Sequence, residues 1–422
     1  MYKEINKESS SKNILSYLLY TFLILTTLNP LFSYYLRFNN FHTIILLLMF
    51  FTIFLYLLKG SKIKISKMHI YVYLYSCIAV VGVFIVDFDI VFAIQALLFR
   101  IVPPILFLMF FSLSKISLKE NNIGYSVLKI TNALCIILAL FGLIEKINPS
   151  VIHKYYGNSL TTHMTLILNG NMVSRLISLA GNPINLGFYM AIGVGSAIVL
   201  IIINWKKSRL LVALEILCIP LFIYIMFLTF SRAAIFVTFV MILTIFILLI
   251  KNINIGYRIG LVFIMIIGYA MLSNTLFRFD ALQTRISTIS WKSFLDNTRF
   301  LRAYNAFDKD THFFQYMFGH GIYKMNNSSA FVFELGYASL LYESGIIGLV
   351  AVIGSYLKGG LKGIKMAYKS HHVDKYVSIF YTAIIVSGLT GMLVEDLYMQ
   401  KPFSVYLWFS TFFLLSKSTS VA

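Results

Sequence analysis

Acidic residues are scarce in this chain. Only 16 Asp and Glu stand against 35 Lys and Arg in 422 residues, and charged residues of both signs make up 12% of the total. With 59% of the residues hydrophobic and a mean hydropathy of +0.83, too little charge is left to cover a water-facing surface, which excludes a soluble globule. Cysteine is sparse too. Cys77, Cys135 and Cys218 all fall inside apolar runs and match no metal-ligand spacing, so neither a disulfide framework nor a zinc site is indicated, and they read as fillers facing lipid or core.

What is abundant is unbroken apolar sequence. Runs at about 14–36, 42–58, 68–86, 90–113, 125–144, 185–204, 209–229, 233–250, 258–274, 336–357, 376–394 and 402–416 have the length that crosses a hydrocarbon core of about 30 Å. In lipid a segment must satisfy its own backbone hydrogen bonds, so helices are expected. The first run follows Lys3, Lys7 and Lys12 and is too long for a signal-peptide core, so it is expected to remain as the first span. The expected fold is an all-α polytopic membrane protein, a single integral domain over 1–422 with about 12 transmembrane helices.

The basic residues sit in the connections between apolar runs, which fits membrane orientation rather than nucleic-acid binding. Short connections dense in lysine, such as Lys59, Lys62, Lys64 and Lys67, or Lys206, Lys207 and Arg209, predict cytoplasmic loops and place both termini inside. Two connections are long, 145–184 and 275–335, and this threading makes both extracytoplasmic. They carry Arg175, Arg299 and Arg302 among other basic residues, and Arg232 lies at an outer helix junction. Two readings stand: solvated loop charge, or a site for an anion at the outer surface, for which the planar guanidinium fork suits phosphate oxygens.

Four local patterns occur in order along the chain. Arg175 leads through Gly181-Asn182-Pro183 to Gly187, and Thr229-Phe230-Ser231-Arg232-Ala233-Ala234 joins two spans. Phe318-Gly319-His320-Gly321 lies in the second long connection, and Leu340-Leu341-Tyr342-Glu343-Ser344-Gly345 with Gly348 opens the tenth run. With the twelve-run layout, the chain resembles the O-antigen polymerase and O-antigen ligase family of bacterial surface-polysaccharide assembly, over about 170–350 by motif and over the first five runs by hydropathy alone.

That resemblance implies a metal-independent, cofactor-free glycosyltransferase in the bacterial cytoplasmic membrane. It would join oligosaccharide repeats carried on undecaprenyl diphosphate, as donor and acceptor, into O-antigen (lipopolysaccharide) or capsular polysaccharide. A flippase, a chain-length regulator and membrane lipid are the implied partners. The resemblance further implies that Arg175, Arg232, Arg299 and Arg302 hold the donor diphosphate. The ligase pattern carries a histidine eleven positions before the first of two glycines spaced three apart, whereas here the position before Gly345 and Gly348 is Glu334, followed by Leu335. This departure favours a polymerase over a ligase. Glu334 is then either a general base for the acceptor hydroxyl or an acid complementing the dipole of the tenth helix.

His320, between two glycines, reads as a second base or as a turn residue, and it is preferred to His312. Asp87 with Asp89, and Asp308 with Asp310, match Asp-x-Asp, a cheap pattern that carries no metal site here. Arg100, before Pro103-Pro104, is expected to border the substrate cavity or to pair with Glu215, and the prolines to break the helix. A lipid-linked oligosaccharide flippase would also show many spans, but would tend toward two similar halves, and no internal repeat is apparent.

Overall fold

A computed structural model of the chain describes residues 14–30, 41–60, 67–85, 100–113, 123–153, 165–168, 171–250, 313–321, 335–369, 372–398 and 402–417. Helices dominate: α1 (Ile14–Pro30), α2 (Phe41–Leu58), α3 (Lys67–Ile85), α4 (Val102–Ser112), α5 (Ile123–Ile147) and a one-turn α6 (Pro149–His153). A short antiparallel hairpin follows, β1 (Thr165–Leu168) and β2 (Asn171–Ser174), with Thr165 opposite Ser174 and Leu168 opposite Asn171. The chain continues through α7 (Pro183–Asn204), α8 (Arg209–Leu228), α9 (Arg232–Ile250), a short α10 (Phe313–Phe318), α11 (Gly336–Lys369), α12 (His372–Gly391) and α13 (Phe403–Ser416).

Among the described residues, five helices, α5, α7, α8, α9 and α11, are long and apolar enough to cross a membrane. The outer surfaces of the apolar helices suit lipid. On α8, Leu210, Leu211, Leu214, Ile216 and Leu217 are exposed, and on α2 so are Leu47, Phe50, Phe51 and Phe54. Contiguous apolar surface of this kind would not be tolerated in water. The protein is a helical membrane protein. The run at 258–274 lies outside the described residues.

The most buried of the five is α7, with 83% of its most apolar stretch inside the protein, against 28% for α8. It packs on α5, α8, α9 and α12. Small residues allow the approach: a Cβ on Gly193 would fall 3.0 Å from Cys135 and Phe222, and one on Gly195 would fall 2.4 Å from the Met241 sulfur. Polar groups tie the same helices. The Asn132 amide on α5 donates to Glu215 on α8 (2.8 Å) and accepts from the Ser196 hydroxyl on α7 (2.9 Å). Glu215 is thereby engaged with Asn132 rather than with Arg100, which corrects the expected pairing.

Two further expectations change. The prolines 103 and 104 do not interrupt a helix; they occupy the first turn of α4, where their missing N–H groups have no helical partner to lose. The tenth run does not end near 357. Helix α11 continues to Lys369 with a kink at Gly345, because its lysines find partners along the way: Lys358 lies 4.0 Å from the Tyr71 ring, and Lys362 donates to the last-turn carbonyl of Leu415 on α13 (2.6 Å). Within the first long connection, 145–184, lie the end of α5, the one-turn α6 and the hairpin.

Candidate functional site

The four sequence patterns come together in two contacting pairs. In the first, Gly181 adopts φ +67°, Asn182 caps α7 by accepting from the Ile184 N–H (2.8 Å), and Pro183 begins the helix. One turn on, a Cβ at Gly187 would fall 2.7 Å from the Cβ of Ala234 and 3.1 Å from the Thr229 hydroxyl. The Gly187 and Ala234 positions must therefore both be small for α7 to lie against the start of α9. Ser231 caps α9 through Ala234 N–H (3.3 Å), after Phe230 turns the chain at φ +52°.

Arg175 is bound to this junction. Its Nε donates to the Thr229 carbonyl (2.8 Å), and the next residue, Leu176, donates its N–H to the Leu228 carbonyl (3.2 Å). These bonds satisfy carbonyls at the C-terminal end of α8 that have no helical partner. The segment 175–178 is also held by Glu145, a buried carboxylate that accepts from Ile177 N–H (3.0 Å) and Ser178 N–H (2.7 Å). Arg232, exposed, is the first residue of α9, where the positive end of the helix dipole adds to its charge. Arg175 and Arg232 thus flank one turn.

The second pair is a backbone interlock. His320 N–H donates to the Tyr342 carbonyl (2.7 Å) and Gly321 N–H to the Glu343 carbonyl (3.0 Å), so 319–321 lies directly on the kink of α11. The kink residue, Gly345, has φ +63° and ψ −173°, a conformation essentially confined to glycine. A Cβ there would fall 2.3 Å from the Met317 carbonyl oxygen, and one at Gly319 would fall 2.2 Å from the Glu343 carbonyl oxygen. Glycines on both segments are what let the two backbones meet. The His320 ring is 5% exposed and stacks on Tyr342, centroids 4.0 Å apart and planes 5° apart, with Nδ1 3.3 Å from the Tyr342 carbonyl.

Behind the kink lies a buried polar cluster. Glu343, 1% exposed, pairs with Arg100, which stands just before α4. Asp396 and Tyr75 are within electrostatic reach of the same guanidinium, and Tyr75 packs edge-on against Tyr398. The Tyr75, Tyr398 and Ser339 hydroxyls are buried without a hydrogen-bond partner among the described residues. The 391–398 turn joins the two pairs: Gly391 packs against Val237 of α9 and Leu397, while Met392 accepts from Gly336 N–H at the start of α11 (3.0 Å).

Of the residues singled out by sequence, the structure gathers Arg175, Arg232 and His320 at one end of the bundle. Arg299, Arg302 and Glu334 lie outside the described residues, as do both Asp-x-Asp pairs. Sequence reasoning passed over Glu343, Asp396 and Glu145. A signal for Glu343 was present, since it is an acid within an apolar run two residues before a glycine, and intramembrane charge is costly unless it is used. No family model matches the chain, and no curated protein matches it.

Proposed function

We propose that the protein is a polysaccharide polymerase of the O-antigen polymerase and ligase family. It joins oligosaccharide repeats carried on undecaprenyl diphosphate at the outer face of the bacterial cytoplasmic membrane, with twelve spans and both termini inside. The observation that carries this reading is the meeting of four separated motifs, 175–187 with 229–234 and 318–321 with 340–348, at one end of the bundle. These pairs carry Arg175, Arg232 and His320, in a protein of which charged residues make up only 12%.

Arg175 and Arg232, with Arg299 and Arg302 of the second long connection, hold and neutralise the donor diphosphate. The acceptor hydroxyl attacks the anomeric carbon as the bond to the diphosphate oxygen breaks. Undecaprenyl diphosphate leaves with the bonding electrons and the anomeric centre inverts. The proton passes to Glu334 or to His320, whose Nδ1 contact with the Tyr342 carbonyl favours the tautomer that accepts at Nε2. Charge grows on the departing diphosphate, where fixed guanidinium groups in a low-dielectric setting have most effect.

The test is reconstitution of purified protein with lipid-linked repeats, chelator present, and neither nucleotide sugar nor ion gradient supplied. A ladder of polymer is expected. Activity recovered only with a divalent ion would favour a metal-dependent glycosyltransferase, a single transfer to lipid A core would favour a ligase, and movement of lipid-linked glycan across vesicles without a ladder would favour a flippase.

A further inference from the structure

The histidine that the proposed chemistry calls on is held by backbone bonds to a kinked helix: its own N–H donates to the Tyr342 carbonyl, and that of its neighbour Gly321 to the Glu343 carbonyl. The kink residue itself, Gly345, departs from helical φ and ψ within an otherwise continuous helix. What crosses from a second helix to this spot is the Arg100 guanidinium, paired with the Glu343 carboxylate. The same residue therefore offers its carbonyl to the histidine segment and its side chain to α4.

We infer that Arg100 and Glu343 form a buried positioning pair that fixes the α11 kink against α4 and so holds His320 in its stacked place on Tyr342. The catalytic consequence rests on the polymerase reading; the positioning itself does not. Two glycines make the arrangement all or none, because at Gly319 and Gly345 the facing backbones are too close for any slippage to be absorbed by a side chain. Tyr75, whose ring would lie 3.7 Å from a Cβ at Gly348 of α11, is within electrostatic reach of the Arg100 guanidinium. Arg and Glu suit this task because removing one partner leaves the other charged and buried, so the contact is either kept or abandoned.

The experiment is acylation of histidines in the purified full-length protein with diethyl pyrocarbonate, read residue by residue by mass spectrometry. In the wild type His320 should react slowly. Glu343→Gln and Arg100→Met should each raise its rate on the order of tenfold, as local opening of a buried segment does, with His69 and His153 unchanged. The exchange of the two charges, Arg100→Glu with Glu343→Arg, should return His320 toward wild-type protection even if a single variant folds poorly. His320 that stays protected in both single variants, a rise shared equally by His69 and His153, or a charge exchange that leaves His320 as reactive as the single variants would each overturn the inference. The ladder assay is run in parallel: loss of polymer in the single variants with recovery in the exchange supports the catalytic consequence. A wild type that makes no polymer defeats the proposed function while the protection result still decides the pair.

Discussion

Helix α11 offers two glycines nine residues apart whose replacement by alanine should have opposite effects. At Gly354 the helix is regular and an added Cβ would meet only the Tyr71 ring at 3.8 Å, an ordinary contact. Alanine there removes backbone freedom from the unfolded chain and should stabilise by about 0.5–1 kcal/mol. At Gly345 the backbone has φ +63° and ψ −173°, and holding a non-glycine residue there costs on the order of 1–3 kcal/mol before any clash is counted. The clash is with backbone, the Met317 carbonyl carbon at 2.4 Å and its oxygen at 2.3 Å, so no rotamer change relieves it. The two substitutions should therefore differ by roughly 2–4 kcal/mol in the same helix. The measurement is thermal unfolding of both variants in one detergent, followed by size-exclusion fluorescence. Gly345→Ala should unfold well below wild type and Gly354→Ala at or above it. Equal transition temperatures would refute the assignment of the kink as a glycine-dependent contact with the 317–321 segment.

Glu145→Gln keeps the shape of the side chain but presents an amide N–H group toward the Ile177 and Ser178 N–H groups; hydrogen bonds to a charged acceptor contribute about 1.5–3 kcal/mol, so a loss of that order in detergent stability is expected, and unchanged unfolding would contradict it. Arg175→Lys keeps the charge but cannot both reach the Thr229 carbonyl and offer a planar fork, so polymer yield should fall about tenfold or more with normal membrane insertion, whereas wild-type yield would mark Arg175 as structural only. In a background lacking Cys77, Cys135 and Cys218, a cysteine at Ser293 should react with an impermeant thiol reagent in intact cells with a permeabilised outer membrane, and one at Ser370 should not; the reverse pattern would invert the proposed orientation.

The long helices were visible in the sequence because hydrophobic length is a local property: each apolar run carries its own reason to be a helix in lipid, whatever it packs against. The helix caps were not singled out in the sequence, although they act just as locally. Gly181, Asn182, Pro183 and Ser231 act on their own turns, and the structure uses them there. Arg175, Arg232 and His320 could be singled out because charge or glycine flanking made them conspicuous in their segments.

Partnership is a different kind of information. Arg100 could be recognised as costly within an apolar run, yet the choice between Glu215 and Glu343 depended on which helices are neighbours, and α5 and α7 supply Asn132 and Ser196 to settle Glu215 elsewhere. Likewise Gly345 and Gly319 look like ordinary glycines until the 317–321 and 342–345 backbones are seen to meet, a contact between segments separated by more than twenty residues. Composition and run length alone determined that the chain is a helical membrane protein; which charges face one another, and why α11 must bend where it does, was decided by packing between helices that no local pattern encodes.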